Sequence, residues 1–179
     1  ARKRGDETTP LGDFTITHIR PSKRFELFMA IDYPNLDHTE RAFVDERING
    51  SEYRALRRQL DQGRPPPQST SLGGYLGIHG LGEGDTEVHE TINWTDGCIA
   101  LTNEQLQELA GWVDVGTRDA TFDSQAGAGS DDAEPGRAIK HVQVDSRDKT
   151  ARLSENHIAL ASRVISVWIC RTCTDNQVL

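Results

Sequence analysis

Residues 94–103 read Trp94-Thr95-Asp96-Gly97-Cys98-Ile99-Ala100-Leu101-Thr102-Asn103, which sets a cysteine between a glycine and the start of a helix. Thr102 and Gln105 have the spacing of a capping box, in which each side chain bonds the backbone of the other residue. An apolar stripe with helical spacing follows, formed by Leu106, Leu109 and Val113. We therefore predict a helix that begins after Thr102 and ends at Gly116.

Cys98 is the candidate nucleophile of this stretch. A preceding glycine lets the backbone turn sharply, so that the N–H groups of Gly97 and Cys98 face a developing oxyanion. A thiol also needs a neighbouring base to form a thiolate near neutral pH. His79 lies 19 residues upstream and His89 nine residues upstream, and either can supply that base. The alternative is that Cys98 is a small buried side chain without chemistry.

Short strands and helices are expected on either side of this stretch. The composition predicts strands over residues 14–17 and 24–30, and a glycine-rich strand over 72–80. The charge-dense segment 37–62 predicts one or two short helices interrupted at Asn49-Gly50. Residues 124–136 lack apolar periodicity and favour a linker. Beyond it we expect a short strand over 141–144, and a helix or a buried strand over 158–169.

The composition limits the class of protein. The 179 residues suffice for one domain, or for one domain with a tail. A net charge of −8 argues against a nucleic-acid surface. No apolar run approaches the roughly 18 residues of a membrane helix. No signal-peptide segment follows the polar start at Ala1, so we expect either a cytosolic protein or a chain whose N-terminal region lies outside this sequence.

Several motifs, in the same order, resemble the YkuD-type L,D-transpeptidase catalytic domain family, in particular its murein L,D-transpeptidase branch. The principal ones are Ile78-His79-Gly80 and, after a gap, the stretch from Trp94 to Asn103. Further matching segments are Gly5-Asp6-x-x-Thr9-Pro10-x-Gly12-x-Phe14-x-Ile16, Asp32-Tyr33-Pro34-Asn35, Leu72-Gly73-Gly74 and Val115-Gly116-Thr117. The resemblance covers about residues 5–122.

Two positions depart from the family pattern. Asp96 stands where the family usually has a histidine, so a proton-transfer role at that position is not expected. Ala100 stands where an arginine is often found, so a contact with a substrate carboxylate must come from another residue.

The resemblance implies acyl transfer through a thioester, with no cofactor and no metal. Cys98 is then expected to attack the third residue, typically a diaminopimelate, of a tetrapeptide stem of peptidoglycan. His79 takes the thiol proton and returns it to the departing D-Ala, and backbone N–H groups of Gly97 and Cys98 hold the oxyanion. An amine of a second stem peptide then makes a 3→3 cross-link. Water in its place gives an L,D-carboxypeptidase, and cleavage of lipoprotein–peptidoglycan links stays open as well.

The resemblance also implies a fold and a location. The expected fold is mainly β, a sandwich or partly closed barrel with a few short helices. We expect a catalytic domain over residues 1–122, a disordered linker over 123–136 and an extension of unknown role over 137–179. The family domain normally begins with further strands, so N-terminal strands are expected to be missing. The expected location is the periplasm or the cell envelope, with the signal region outside this chain and no membrane span within it.

Six further residues are candidates for the substrate cleft, and three of them also have a plainer interpretation. They are Gly80, Thr95, Asp96, Trp94, Tyr75 and His89. Tyr75 and Trp94 offer a wall for a sugar-peptide, although a tryptophan often belongs to the core. His89 is more typical of a surface loop, and Asp96 caps turns as readily as it orients Cys98.

The second cysteine motif is Cys170-Arg171-Thr172-Cys173. A redox pair normally opens a helix within a βαβ unit, and a zinc site needs more ligands, for which His141 and His157 are the candidates. The three cysteines also allow a disulfide between Cys170 and Cys173, with Cys98 as the remaining thiol. The alternatives to a cell-wall acyltransferase are thus a non-catalytic peptidoglycan-binding relic and a C-x-x-C redox or zinc protein.

Overall fold

A computed structural model describes residues 3–92, 94–117, 120–125, 137–145 and 162–170. Within these residues the chain forms eight strands and four short helices. The strands are β1 (Gly12–Phe14), β2 (Ile16–Ser22), β3 (Glu26–Ile31), β4 (Gly77–His79), β5 (Ile99–Ala100), β6 (Ala120–Gln125), β7 (Arg137–Asp145) and β8 (Ser162–Cys170). The helices are α1 (Leu36–Val44), α2 (Gly50–Asp61), α3 (Thr86–Thr91) and α4 (Asn103–Ala110).

The first sheet has the strand order β2-β3-β4-β5 and is mixed. Its first two pairings are antiparallel, and the register of the second sets Phe28 opposite His79. The pairing of β4 with β5 is parallel and sets His79 opposite Ala100. A backbone hydrogen bond of 2.9 Å from the Leu101 N–H to the His79 carbonyl extends this pair. The segment that ends in His79 and the segment that follows Cys98 therefore lie side by side.

The second sheet is antiparallel and has the order β1-β6-β7-β8. Strand β6 continues to Gln125, so residues 123–125, expected in a linker, are strand; residues 126–136 lie outside the described ones. Strand β7 is longer than the expected 141–144, and β8 shows that the described part of 158–169 is strand and not helix. Among the described strands neither sheet closes on itself. The mainly β prediction with a few short helices agrees with this; the sandwich or barrel stays a prediction.

The family-like motifs outside the cysteine stretch meet one another in the core. The Tyr33 hydroxyl is buried and donates a 3.0 Å hydrogen bond to the Leu72 carbonyl. The Thr15 N–H donates to Asp32 Oδ1 at 2.8 Å. Asn35 caps α1 by accepting from a backbone N–H of its first turn. The first two hydrogen bonds join the segments around Thr15, Tyr33 and Leu72 to one another.

Local signals predicted α1, α2 and α4, whereas α3, where His89 was expected in a loop, was not predicted. Helices α1 and α2 are separated between Val44 and Gly50, at the predicted interruption. The capping box between Thr102 and Gln105 is present with both of its hydrogen bonds. Helix α4 carries the expected apolar face, since Leu106 and Leu109 are buried.

Three predicted boundaries were wrong. Helix α4 ends at Ala110 instead of continuing to Gly116; Gly111 is its C-cap, and farther on the Gly116 N–H pairs with the Ile16 carbonyl at 2.8 Å. The glycine-rich strand is confined to Gly77–His79, since Tyr75 has a φ of +56°, outside the β region. The first predicted strand is two, β1 and β2, separated by one residue.

The described part of the chain holds no helix with the length and apolar character that crossing a membrane requires.

Replacing Gly77 by Ala is expected to destabilise the fold by about 2–3 kcal/mol. A Cβ at Gly77 would lie 2.3 Å from the Met29 carbonyl oxygen and 2.8 Å from the Phe28 ring, so β4 would have to move away from β3. The matched control is Gly50→Ala, whose Cβ would meet the movable end of the Arg54 side chain, and which should change stability by less than about 1 kcal/mol. Chemical denaturation of both variants measures the difference; equal stabilities would contradict the packing described at β4.

Candidate active site

A cavity of about 520 Å³ lies where the end of β4 meets the residues before β5. Four parts of the chain line it: the N-terminal segment, the β2–β3 turn with β3, the loop before β4 with β4 itself, and the segment before β5. The lining residues are Arg4, Gly5, Glu7, Arg24, Phe25, Phe28, Gln68, Gly73, Gly74, Tyr75, Leu76, His79, Trp94, Thr95, Asp96 and Cys98.

The sheet register brings His79 and Cys98 to the same side of the first sheet. His79 lies opposite Ala100 in the parallel pair, and paired residues point to the same face. Cys98 precedes Ala100 by two residues, and side chains two apart along an extended chain share a face. The imidazole and the thiol accordingly line one cavity.

A tight turn presents Cys98. Gly97 is buried and has a φ of +101°, a backbone conformation that favours glycine. The Thr95 hydroxyl donates a 2.8 Å hydrogen bond to the Cys98 carbonyl and closes the turn. The Cys98 side chain is partly exposed and present as a thiol, which donates to the Tyr75 carbonyl at 3.7 Å. The turn thus fixes the backbone around the thiol and leaves the sulfur facing the cavity.

One tautomer of His79 is favoured by its backbone partner. The His79 side chain is only 2% exposed, and its Nδ1 lies 2.9 Å from the Gly80 carbonyl oxygen. A carbonyl can only accept, so Nδ1 carries the proton in the neutral ring and Nε2 keeps a lone pair. A neutral His79 is therefore ready to accept a proton at Nε2.

Aromatic rings surround the His79 imidazole. The Phe25 ring centroid lies 4.1 Å from that of His79, the Trp94 centroid 5.6 Å and the Phe28 centroid 6.2 Å. Burial lowers the pKa of His79 from its ordinary value of 6.5, and the Arg24 charge lowers it further, while the hydrogen bond to Gly80 opposes both. The imidazole consequently stays neutral to a lower pH than an exposed histidine does.

Protein stability is expected to fall as the pH drops below about 6.5, the ordinary histidine value. Burial also lowers the pKa of His38, which packs against Phe14 and Tyr33. Between the lowered pKa values and 6.5 the unfolded chain binds more protons than the folded one, so acid favours unfolding. Burial raises the pKa of Asp32 above its ordinary value of 3.8, so the contribution of Asp32 to stability increases as the pH falls. Urea titrations at several pH values should give a smaller pH slope for His38→Gln than for the unaltered protein; an unchanged slope contradicts the assignment.

Tyr75 is a strained, exposed aromatic at the mouth of the cavity. Its φ is +56° and its side chain is 72% exposed. Its N–H donates to Gln68 Oε1 at 2.6 Å, while Gln68 Nε2 donates to the Tyr33 and Pro66 carbonyls at 3.2 and 2.9 Å. A Cβ at Gly74 would lie 2.1 Å from the Gln68 carbonyl oxygen, so this loop is closely packed. Such packing holds the strained conformation that aims the Tyr75 carbonyl at the thiol.

Asn103 fixes the loop behind His79. Its side-chain amide makes two hydrogen bonds with the Gly82 backbone. It accepts from the Gly82 N–H at 2.9 Å and donates to the Gly82 carbonyl at 2.8 Å. A Cβ at Gly80 would lie 2.6 Å from Asn103 Oδ1 and 2.9 Å from the Phe25 carbonyl. Gly80, whose carbonyl accepts from His79 Nδ1, is therefore closely packed between Asn103 and the Phe25 carbonyl.

The structure brings six of the residues singled out from the sequence into the cavity lining. They are Tyr75, His79, Trp94, Thr95, Asp96 and Cys98. Gly80 and Gly97 are buried directly beside His79 and Cys98. His89 lies in α3 and is not among the lining residues, although its charge contributes to the lowered pKa of His79.

The C-terminal motif is only partly within the described residues. Cys170 ends β8 and His141 lies in β7, whereas Cys173 and His157 lie outside the described residues. Over the ranges that the structure describes, no three His, Cys, Asp or Glu side chains come together as a metal ion would require.

Sequence reasoning missed the contribution of the β2–β3 hairpin. Arg24, Phe25 and Phe28 line the cavity, and no motif marks them. The only signal was indirect, since an antiparallel pairing of the 24–30 strand with the His79 strand would place its aromatic residues near His79. That pairing spans about fifty residues of sequence and cannot be read from local pattern.

The chain matches a known protein family. The family model YkuD, described as L,D-transpeptidase catalytic domain, matches residues 1–120. Searches of curated proteins and of solved structures found no match.

Proposed function

The chain belongs to the L,D-transpeptidase catalytic domain family, and from this premise we propose that Cys98 is its acylated nucleophile and His79 its general base. Membership implies L,D-transpeptidase-type catalysis on peptidoglycan, which family members generally perform outside the cytoplasm. The observation that carries the residue assignment is the shared cavity of a buried histidine with a defined tautomer and a partly exposed thiol.

In the first half-reaction, the Cys98 sulfur attacks the carbonyl of the third residue of a tetrapeptide stem. His79 Nε2 takes the thiol proton as the new S–C bond forms. Backbone N–H groups of Gly97 and Cys98 hold the developing oxyanion. The C–N bond to the terminal D-Ala then breaks, and the His79 imidazolium returns the proton to the departing amine. A thioester on Cys98 and one D-Ala result.

In the second half-reaction, an amine of another stem peptide attacks the thioester. His79 accepts the amine proton and returns a proton to the Cys98 sulfur as the S–C bond breaks. The product is a cross-link between third residues. Asp96 is exposed and has no part in these proton transfers. Thr95 and Gly97 act by holding the turn that presents the sulfur.

The same membership supports the finer structural expectations. We infer that the two sheets form the sandwich or partly closed barrel of the family, that residues 1–122 carry the chemistry, and that the site of action is the periplasm or the cell envelope.

Product analysis with a disaccharide tetrapeptide tests the proposal. The reduced protein should release D-Ala and produce a cross-linked dimer, both measured by liquid chromatography with mass spectrometry. Tripeptide without dimer would favour the L,D-carboxypeptidase alternative, and cleavage confined to a lipoprotein-linked muropeptide would favour the lipoprotein–peptidoglycan hydrolase. If folded, reduced protein cleaves none of these substrates, the chain is the non-catalytic relic and the proposal fails.

A further inference from the structure

Arg24 is a cation held at the edge of the cavity by an aromatic ring. Its guanidinium carbon lies 4.9 Å from the centroid of the Phe25 ring. That ring is in turn 4.1 Å from the His79 ring, centroid to centroid. Arg24, Phe25 and His79 all line the cavity that contains the Cys98 thiol. The Phe25 ring thus packs against both the Arg24 guanidinium and the His79 imidazole.

The backbone of this turn is fixed relative to His79. The Phe25 carbonyl accepts from the Gly80 N–H at 3.1 Å, and the Phe25 N–H donates to Ser22 Oγ at 3.2 Å. A Cβ at Gly82 would lie 2.1 Å from the Arg24 carbonyl oxygen, so the turn and the loop after β4 are in direct backbone contact. The position of Arg24 is therefore set by the same elements that set His79.

The chemistry of a stacked guanidinium favours a carboxylate. Stacking on Phe25 occupies one face of the group and leaves its N–H edge available for a planar, bidentate partner. A carboxylate matches that edge with two charge-assisted hydrogen bonds. Position 100, which the register sets beside His79, carries only the Ala100 methyl group. Arg4 and Arg24 both line the cavity, and of these two it is the Arg24 charge that lowers the pKa of His79.

We propose that Arg24 binds a carboxylate of the acyl donor and makes the site selective for donors that carry it. This inference rests on the proposed function, because it takes a stem peptide as the ligand. A tetrapeptide stem offers carboxylates on its second, third and fourth residues. The guanidinium recognises the chemistry that they share, and amidation of one at a time identifies which is bound.

The test is a binding measurement in a Cys98→Ala background, where no turnover occurs. Isothermal titration with the tetrapeptide should give a Kd about tenfold or more weaker for Arg24→Gln, the size expected for a lost charge-assisted pair. Arg24→Lys should recover part of the affinity. The matched control is Arg20→Gln, since Arg20 also stacks on a phenylalanine, 5.4 Å from the Phe28 centroid, but does not line the cavity. Its Kd should be unchanged.

A second arm identifies the carboxylate. Amidation of the bound carboxylate should weaken binding of the peptide to the Arg24 protein about tenfold. The same amidation should not weaken binding of the peptide to Arg24→Gln. Equal affinity of Arg24→Gln and Arg24 proteins for the tetrapeptide, or equal losses for Arg24→Gln and Arg20→Gln, would overturn the inference. Absence of measurable binding to Cys98→Ala would overturn it as well. Loss of turnover in the Cys98 protein with intact Arg24-dependent binding would instead contradict only the proposed function.

Discussion

Cys98→Ala should abolish release of D-Ala from a tetrapeptide muropeptide, lowering the rate by about 10³-fold or more. The proposed reaction passes through a thioester on this sulfur, and an alanine offers no group that can be acylated. The Cys98 side chain is partly exposed, and its thiol donates a long hydrogen bond of 3.7 Å to the Tyr75 carbonyl. The fold should therefore tolerate the change, and thermal denaturation should give a similar midpoint.

The control for this experiment is the double variant Cys170→Ser, Cys173→Ser. It should keep the D-Ala release rate within about twofold if Cys98 alone is acylated. The redox or zinc hypothesis gives the opposite order, with the C-x-x-C cysteines as the reactive thiols. Activity that survives in Cys98→Ala and disappears in the double variant would refute the assignment of the nucleophile.

His79→Gln should lower kcat for D-Ala release by about 10²–10⁴-fold, the usual worth of a general acid–base group. The variant should also react more slowly with an alkylating reagent near neutral pH, because the thiol no longer has a neighbouring base. Since burial and the Arg24 charge lower the pKa of His79, the neutral base persists below 6.5. The acid limb of the unaltered protein's pH–rate profile is therefore expected below pH 6.5, and His79→Gln should lose it.

His38 provides a control whose pKa burial also lowers, although its side chain is less buried than that of His79. It is half-buried, stacks on Phe14 at 5.1 Å between centroids, and does not line the cavity. Per folded molecule, His38→Gln should keep both the D-Ala release rate and the thiol alkylation profile. If His79→Gln and His38→Gln lose activity to the same extent, the effect of His79 is structural and the base assignment is wrong.

Local patterns predicted the structural features that depend only on residues close together in the sequence. The capping box of Thr102 and Gln105 and the break at Asn49-Gly50 are such features, because caps and glycines act on their own neighbours. The glycine before Cys98 likewise indicated a turn, and its φ of +101° agrees.

The surroundings of His79 could not be predicted in the same way. Phe25 and Phe28 reach the imidazole only through the pairing of β3 with β4, which is a long-range choice of register. The left-handed backbone of Tyr75 depends on Gln68, a residue with no motif around it. The Gly116 N–H pairs with the Ile16 carbonyl, a contact between distant parts of the sequence that no local pattern marks. Each of these outcomes is decided by tertiary contacts.

The central claim is that Cys98 carries the acyl group, and brief exposure to the tetrapeptide followed by acid quench tests it most directly. Intact-protein mass spectrometry should show a gain equal to the donor minus D-Ala, and peptide mapping should place the adduct on Cys98. The adduct should be absent from Cys98→Ala and should disappear when an amine acceptor is added. An adduct on any other residue, or D-Ala release at the same rate from Cys98→Ala, would contradict the account.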